Sequence, residues 1–462
     1  MNHPIGQIII LGAGIGGLSS AYELLKKGRQ VIIIEKDGEA GGLMRAIKHG
    51  EYNVDLGHKQ FYSRIPRVHS FYMEILGDKL ITYKNRIGIY YNNRIIERER
   101  KYKGLFRGMS VSLISLGIID IVAQKIKYIW RRKRTIEDVA NSKNGRLFSL
   151  IFSQGFDEKL KCRPWSSVPR NKRTETSSFT KYFSLLGFAK EDNNGKNLQE
   201  NWVHPLKGSG GLIEALRDKI INMGGEIRFN TKVLKLVRQG DRIKSIEIDT
   251  DGKISSLETP TIISSIKLDI IAKLLSLKYR IGDEEWSFNR GVIIIYLFFN
   301  EPSKFPHTSL YVPDPKQKIG RITNYDVYDC QMVPKGKSCL AFEIFCKKEN
   351  ILLELDDEEL MTIVKEEFGE SHLIDLKKLE SYQVYKLPSC DPATNWEDYK
   401  IEKTRNQMYS DLKKIENLYN VSRTGIDKII YSSIKAAESI ITNEKDDFFK
   451  ETSPVELEPW SM

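Results

Sequence analysis

The sequence is poor in the patterns that many function classes require. It has five cysteines, Cys162, Cys330, Cys339, Cys346 and Cys390; no two are spaced as CxxC, and none clusters with histidine. An odd, scattered set argues against a disulfide framework or a zinc site, so no metal is expected, and it fits a reducing cytoplasm best. No window reaches the roughly 18 consecutive apolar residues of a membrane span. The N-terminal apolar stretch is too short for a signal peptide and runs straight into a glycine motif. There is no P-loop, no internal repeat, no long low-complexity stretch and no compact constellation for hydrolysis or a nucleophilic triad. The net charge of +11 comes from 72 basic against 61 acidic residues, a mild excess that suits an anionic ligand or surface. Basic patches interleaved with stacking aromatics are missing, so no nucleic acid is expected.

What is present begins at Gln7. A chain of 462 residues has room for two or three domains at ~100–200 residues each. The run Ile8-Ile9-Ile10-Leu11 reads as a buried parallel strand. Gly12-Ala13-Gly14-Ile15-Gly16-Gly17 follows at once, then a helical pattern that Gly28 stops, then the strand Val31–Ile34 ending in Glu35. A bare GxGxxG is weak. Between strand and helix, with an acid 23 residues after its first glycine, it is a dinucleotide fingerprint. Gly12 allows the tight turn, Gly14 lets backbone approach a pyrophosphate, and Gly17 permits close helix–strand packing. The helix N-terminus offers N–H groups to phosphate. Glu35 accepts from ribose hydroxyls and disfavours a 2′-phosphate.

Further along stand Glu35-Lys36, then Gly41-Gly42 and Arg45. This arrangement resembles the FAD-binding amine-oxidase and protoporphyrinogen-oxidase superfamily, which includes phytoene desaturases and UDP-galactopyranose mutases. Leu43 replaces the arginine that many amine oxidases carry directly after the paired glycines. The resemblance implies that FAD is the cofactor. Arg45 then neutralises its pyrophosphate or is simply a surface arginine. Asp55-Leu56-Gly57-His58 resembles a family stretch that passes the flavin, with one glycine missing; His58 is a flavin neighbour or a packed loop histidine. His204 to Leu212 resembles the segment where the chain re-enters the FAD domain, and the residue matching Val233 contacts adenine through its backbone. Ile262-Ile263-Ser264-Ser265 resembles the strand by which the chain leaves that domain again. Arg423 to Asp427 resembles the glycine-led turn that closes the flavin site, ahead of a helix expected over 431–441 with Ser432 or Ser433 as its cap. The implied cofactor-binding residues are Gly12, Ala13, Gly14, Gly16, Gly17, Glu35, Lys36, Gly41, Gly42, Arg45, Gly57, His58, Val233 and Gly425. No catalytic acid or base is assigned.

The remaining patterns describe a second domain. A helix is expected over 212–223 and a hairpin turn at 238–242. Thr135-Ile136-Glu137-Asp138 reads as a capping box. Strands are expected over 291–299, 308–312, 320–323 and 338–345, as a mixed sheet roofing the flavin. Lys159 to Trp165 resembles a degenerate form of the family's substrate-lining motif. Residues 110–134 read first as an ordinary core helix with a solvated basic end, and second as a helix lying on an anionic bilayer.

The expected fold class is α/β, a Rossmann-like FAD-binding domain with a discontinuous mixed α+β substrate domain. Residues 1–64, 203–270 and 391–442 are assigned to the first domain, 65–202 and 271–390 to the second, and 443–462 to a tail. The expected function is an FAD-dependent oxidoreductase that oxidises a C–N or C–C bond of a small organic substrate by hydride transfer. The alternative is a non-redox flavoenzyme similar to UDP-galactopyranose mutase, with Arg163, Arg170 and Arg321 holding a diphosphate. A third reading, a non-enzyme like the Rab GDP-dissociation inhibitors, sits badly with the intact fingerprint and Glu35. The expected location is cytoplasmic, with peripheral membrane contact through 110–134 as the second reading of that helix.

Overall fold

The structure, a computed structural model, describes residues 7–61, 65–97, 107–170, 202–258, 260–281, 284–285, 290–328, 330–391, 399–422 and 425–445. Arg423, Thr424 and nearly all of the expected tail lie outside them. The described residues form two compact units. One is drawn from Met1–Ile81, Val203–Ser287 and Lys400–Leu457, the other from Thr82–Trp202 and Phe288–Tyr399.

The first unit is built on a parallel sheet. Strand β1 (Ile8–Leu11) and strand β2 (Val31–Ile34) are aliphatic and buried at every position, as a strand covered on both faces requires. Helix α1 (Ile15–Leu25) joins them, and Gly28, at φ +71°, turns the chain back toward β2. Strand β1 pairs with β2 on one side and with Thr261–Ser264 on the other. Glu226–Arg228 and Leu418–Asn420 complete the sheet beyond β2 and beyond Thr261–Ser264. Neighbouring strands therefore come from three distant stretches of chain. A separate antiparallel meander, Thr231–Gln239, Arg242–Thr250 and Lys253–Glu258, carries the hairpin turn expected at 238–242.

The helix expected over 212–223 runs from Gly208 to Asn222. It starts four residues early because its cap is not local. The carboxylate of Asp55 accepts from the Ser209 backbone N–H at 2.6 Å and from the Ser209 hydroxyl at 2.8 Å. No sequence window around 208 contains that acceptor.

In the second unit, seven described strands form one mixed sheet. Their order is Leu379–Asp391, Arg290–Phe299, Ser338–Lys347, Arg321–Asn324, Ser309–Tyr311, Ile87–Tyr91 and Arg94–Glu97. All pairs are antiparallel except Ser309–Tyr311 with Ile87–Tyr91. The four strands expected from the sequence over 291–345 are all present. Helix Asp357–Phe368 contributes Leu360, Val364 and Phe368 to the same apolar core as Ile293, Ile295, Leu340 and Phe342. The Thr135 capping box is formed, with Asp138 as its reciprocal acceptor.

Several side chains expected at a substrate surface bond inside this unit instead. Lys159 Nζ donates to the Val312 carbonyl at 2.8 Å and the Ile319 carbonyl at 2.9 Å, and burial pulls its pKa down to about 8. The Trp165 indole is buried and donates to Asp157 at 2.6 Å. Arg321 lies against Glu343 through Nη2 at 2.5 Å and Nε at 3.1 Å, and the carboxylate is buried. Glu343→Ala leaves that guanidinium in the core without its carboxylate, so urea melts should show stability lower by about 3–5 kcal/mol.

Candidate dinucleotide-binding site

Strand order places the site. From β1 the sheet continues in one direction through β2 and Glu226–Arg228, and in the other through Thr261–Ser264 and Leu418–Asn420. The direction of winding reverses beside β1. At such a switch point the crossover loops diverge, leaving a crevice at the carboxyl ends of the strands. The fingerprint occupies that end of β1.

The loop is fixed by packing and by hydrogen bonds. Gly12 has φ +93°, the tight turn expected of it. A Cβ on Gly17 would sit 1.8 Å from the Gly12 carbonyl oxygen, so only glycine lets α1 seat this closely. Ser265 Oγ donates to the carbonyls of Leu11 and Gly12 at 2.8 and 3.1 Å, and Ser433 Oγ donates to that of Gly16 at 2.9 Å. Gly14 is different. Its φ of −73° suits any residue, and a Cβ built there meets no protein atom within 4 Å. Neither backbone nor packing demands glycine at position 14. Open space above it, beside a helix N-terminus with no side-chain cap and no acid in its first turn, fits an approaching phosphate.

Glu35 is buried at the end of β2. Its Oε2 accepts from the Ala13 N–H at 2.7 Å and its Oε1 from the Asp37 N–H at 2.9 Å. Each oxygen keeps further lone-pair capacity, the chemistry that ribose hydroxyls require. The paired glycines close the other side. Gly14 and Gly41 form a parallel bridge, the Gly41 N–H donates to the Ala13 carbonyl at 2.8 Å, and Gly41 holds φ +116°. Arg45 follows, 4.0 Å from Asp37 and 3.8 Å from Glu39, both more exposed than itself.

Val233 joins this cluster through its strand, because Thr231 N–H donates to the Glu35 carbonyl and Asn230 N–H to the Asp37 carbonyl. A bulge follows Val233, between it and Lys235. Gly425 also joins. It starts the helix Ile426–Thr442, whose Ile429 side chain lies where a Cβ on Gly16 would come within 3.0 Å. That helix was expected from 431 with Ser432 or Ser433 as its cap. It begins five residues earlier, with Gly425 at the cap position and no side-chain cap. Both serines are buried mid-helix, and Ser433 spends its hydroxyl on Ile429 and Gly16. Ser433, read as a capping signal, is a tertiary contact instead.

Three expected residues remain, Lys36, Gly57 and His58. The Lys36 ammonium is largely exposed against Asp37. Gly57 and His58 follow the strand Tyr52–Asp55, whose last residue anchors a second cluster. Asp55 faces His204 Nε2 at 3.1 Å, while His204 Nδ1 lies 3.0 Å from the Pro205 carbonyl. Burial pushes the Asp55 carboxyl up, but the electrostatic pull and hydrogen bond of His204, with the two Ser209 donors, hold it below the usual carboxylate range. Sequence reading missed Ser265 and the Asp55–His204–Ser209 network. Asp427 was quoted there only as part of the closing turn. Its carboxyl, raised by burial, lies in the first turn of the helix that Gly425 begins.

Residues 10–75 match the family model described as an NAD(P)-binding Rossmann-like domain. The 1-hydroxycarotenoid 3,4-desaturase of Flavobacterium sp. (strain P99-3) is 51% identical over 55 residues, which are 12% of this chain and 11% of that protein. Reduced UDP-galactopyranose mutase superposes with a TM-score of 0.68 at 15% identity, over 96% of this chain and 98% of that one. Putrescine oxidase bound to putrescine gives 0.61 at 12% identity, over 95% and 100%. The chain has their fold. The Rossmann-like α/β architecture with an added sheet-rich unit, read from the sequence as a resemblance, is therefore the observed one.

Two measurements check this construction. Gly14→Ala should leave the thermal stability of the cofactor-free protein within about 0.5 kcal/mol, whereas Gly17→Ala should cost about 1–3 kcal/mol or more from the clash with Gly12. For Asp55, the folded carboxyl titrates below the unfolded one. Its stabilisation is therefore complete above the unfolded range, about pH 4, and is lost as pH falls through the lowered folded value. Asp55→Asn should lower stability by about 1.5–3 kcal/mol at neutral pH, as expected when hydrogen bonds to a charged group are lost, with the gap to wild type narrowing in acid.

Proposed function

We propose that this protein is an FAD-dependent oxidoreductase that takes a hydride from a C–N or C–C bond of a small organic substrate. The observation that carries the reading is the cradle around Gly14, open to a pyrophosphate and bounded by the buried Glu35 carboxylate. The resemblance seen in Glu35-Lys36, Gly41-Gly42 and Arg45 supplies FAD as the dinucleotide. Glu35 accepts from the adenosine ribose, the α1 N-terminus faces the phosphates, and Val233 lines the adenine. Bound FAD supplies the hydride acceptor; the residues described here bind and orient it. The N-terminal relative is named as a desaturase and one structural neighbour as putrescine oxidase, which supports redox chemistry.

The mutase-like alternative is weaker at the residues offered for it. Arg321 is buried against Glu343, and Arg163 donates to Ser167 through Nε and Nη2, both at 3.0 Å. The Arg321 guanidinium is thus spent inside the second unit rather than held out for a diphosphate.

The test begins with the absorbance spectrum of the purified protein and release of any bound cofactor. Glu35→Gln should weaken FAD binding roughly ten- to hundredfold, as expected when a hydrogen bond to a charged group is lost. Flavin fluorescence titration reads the change. Anaerobic bleaching by an amine or a desaturation substrate supports the oxidoreductase. A colourless protein that FAD cannot reconstitute overturns the whole reading. Binding of a nucleotide sugar by the chemically reduced form alone overturns the redox part.

A further inference from the structure

The helix Val111–Trp130 was expected as a core helix, and its surroundings are otherwise. Of its twenty residues only Gly117, Ile121 and Gln124 are buried. That thin stripe seats it on its own unit: a Cβ on Gly117 would meet the Phe148 ring at 2.2 Å, and Ile121 packs with Phe148 and Phe152. The opposite face is apolar and in solvent. Leu116, Ile118, Ile119, Val122, Ile126 and Ile129 are each more than half exposed, and Trp130 is 89% exposed. Their spacing of three and four residues makes one continuous stripe.

Charge decides what such a face fits. Lys125 and Lys127 lie exposed on the helix, and exposed Arg131, Arg132 and Arg134 follow its end. The single acid on the helix, Asp120, accepts from the Leu147 N–H and from Gln124. Asp138 nearby accepts from Tyr128 and from the Arg134 and Thr135 backbone. Among the described residues, the apolar stripe therefore has cations at one end, and the nearby carboxylates of Asp120 and Asp138 are turned to bonds within the unit. A second copy docking through the same face would set these cations against themselves. The helix also carries three charged residues and, among the described residues, no helix is long and apolar enough to cross a membrane.

We propose that the Val111–Trp130 helix and the basic segment Arg131–Arg134 form a docking surface for an anionic lipid bilayer, with the helix lying in the plane of the interface. The aliphatic stripe enters the acyl boundary, Trp130 sits at headgroup depth, and the cations meet lipid phosphates. This reading does not depend on which cofactor or substrate the protein uses.

Flotation with vesicles of phosphatidylcholine, with and without phosphatidylglycerol, tests it on the full chain. The protein should float with the anionic vesicles at low ionic strength and be released by salt. The combined variant Ile119→Ser, Val122→Ser and Ile126→Ser changes only exposed positions. It should keep the circular dichroism spectrum and thermal midpoint of the wild type while losing vesicle partition by roughly tenfold or more. Arg131→Gln with Arg132→Gln should lose roughly tenfold or more on anionic vesicles alone. Failure of the wild type to float at low salt overturns the proposal, as does flotation that survives the serine variant. A wild-type dimer that the serine variant turns into a monomer also overturns it, by making the face an interface between copies.

Discussion

The contact between α1 and the turn before it sets the terms for everything at the fingerprint. With hydrogen alone at position 17, the helix axis drops onto the Gly12 carbonyl, and the first turn of α1 ends up level with the carboxyl end of β1. A methyl group there would lift the helix, and the N–H groups of its first turn would no longer border the space above Gly14. Ser265 and Ser433 lock the same turn from two other segments, one after Thr261–Ser264 and one inside Ile426–Thr442. The phosphate cradle is thus a product of three parts of the chain, although its signature lies in one.

That division explains what was legible. The β1–α1–β2 unit, Glu35 and the paired glycines were readable because each residue acts on neighbours a few positions away or through backbone geometry that its type dictates. Helix starts at 208 and 426 were misplaced because their determinants are tertiary. Asp55 caps the first from 154 residues away, and the second begins at a glycine while its Ser433 reaches across to α1. The strands of the second unit announced themselves by apolar runs, but the exposed face of Val111–Trp130 did not, since a helix that buries an apolar side and one that displays it share a pattern.

The second unit also shows how ionic residues mislead. Lys159, Arg163 and Arg321 invite a binding role because cations are costly to bury and are often kept for ligands. Here carbonyls, a serine and Glu343 already satisfy them. Lys159 ties the helix that carries it to the Val312 and Ile319 carbonyls, and Arg321 joins two neighbouring strands through Glu343.

The central place of β1 in its sheet has a consequence for synthesis. This strand leaves the ribosome well before its partners: Thr261–Ser264 follows about 250 residues later, and Leu418–Asn420 later still. At about 5–20 residues per second the first wait alone lasts tens of seconds. Throughout it, β1 presents an unpaired edge of four branched aliphatic residues, the kind of surface on which chains associate wrongly. The nascent protein therefore passes through a window in which the strand that leads into the glycine fingerprint has an open apolar edge until the later strands arrive.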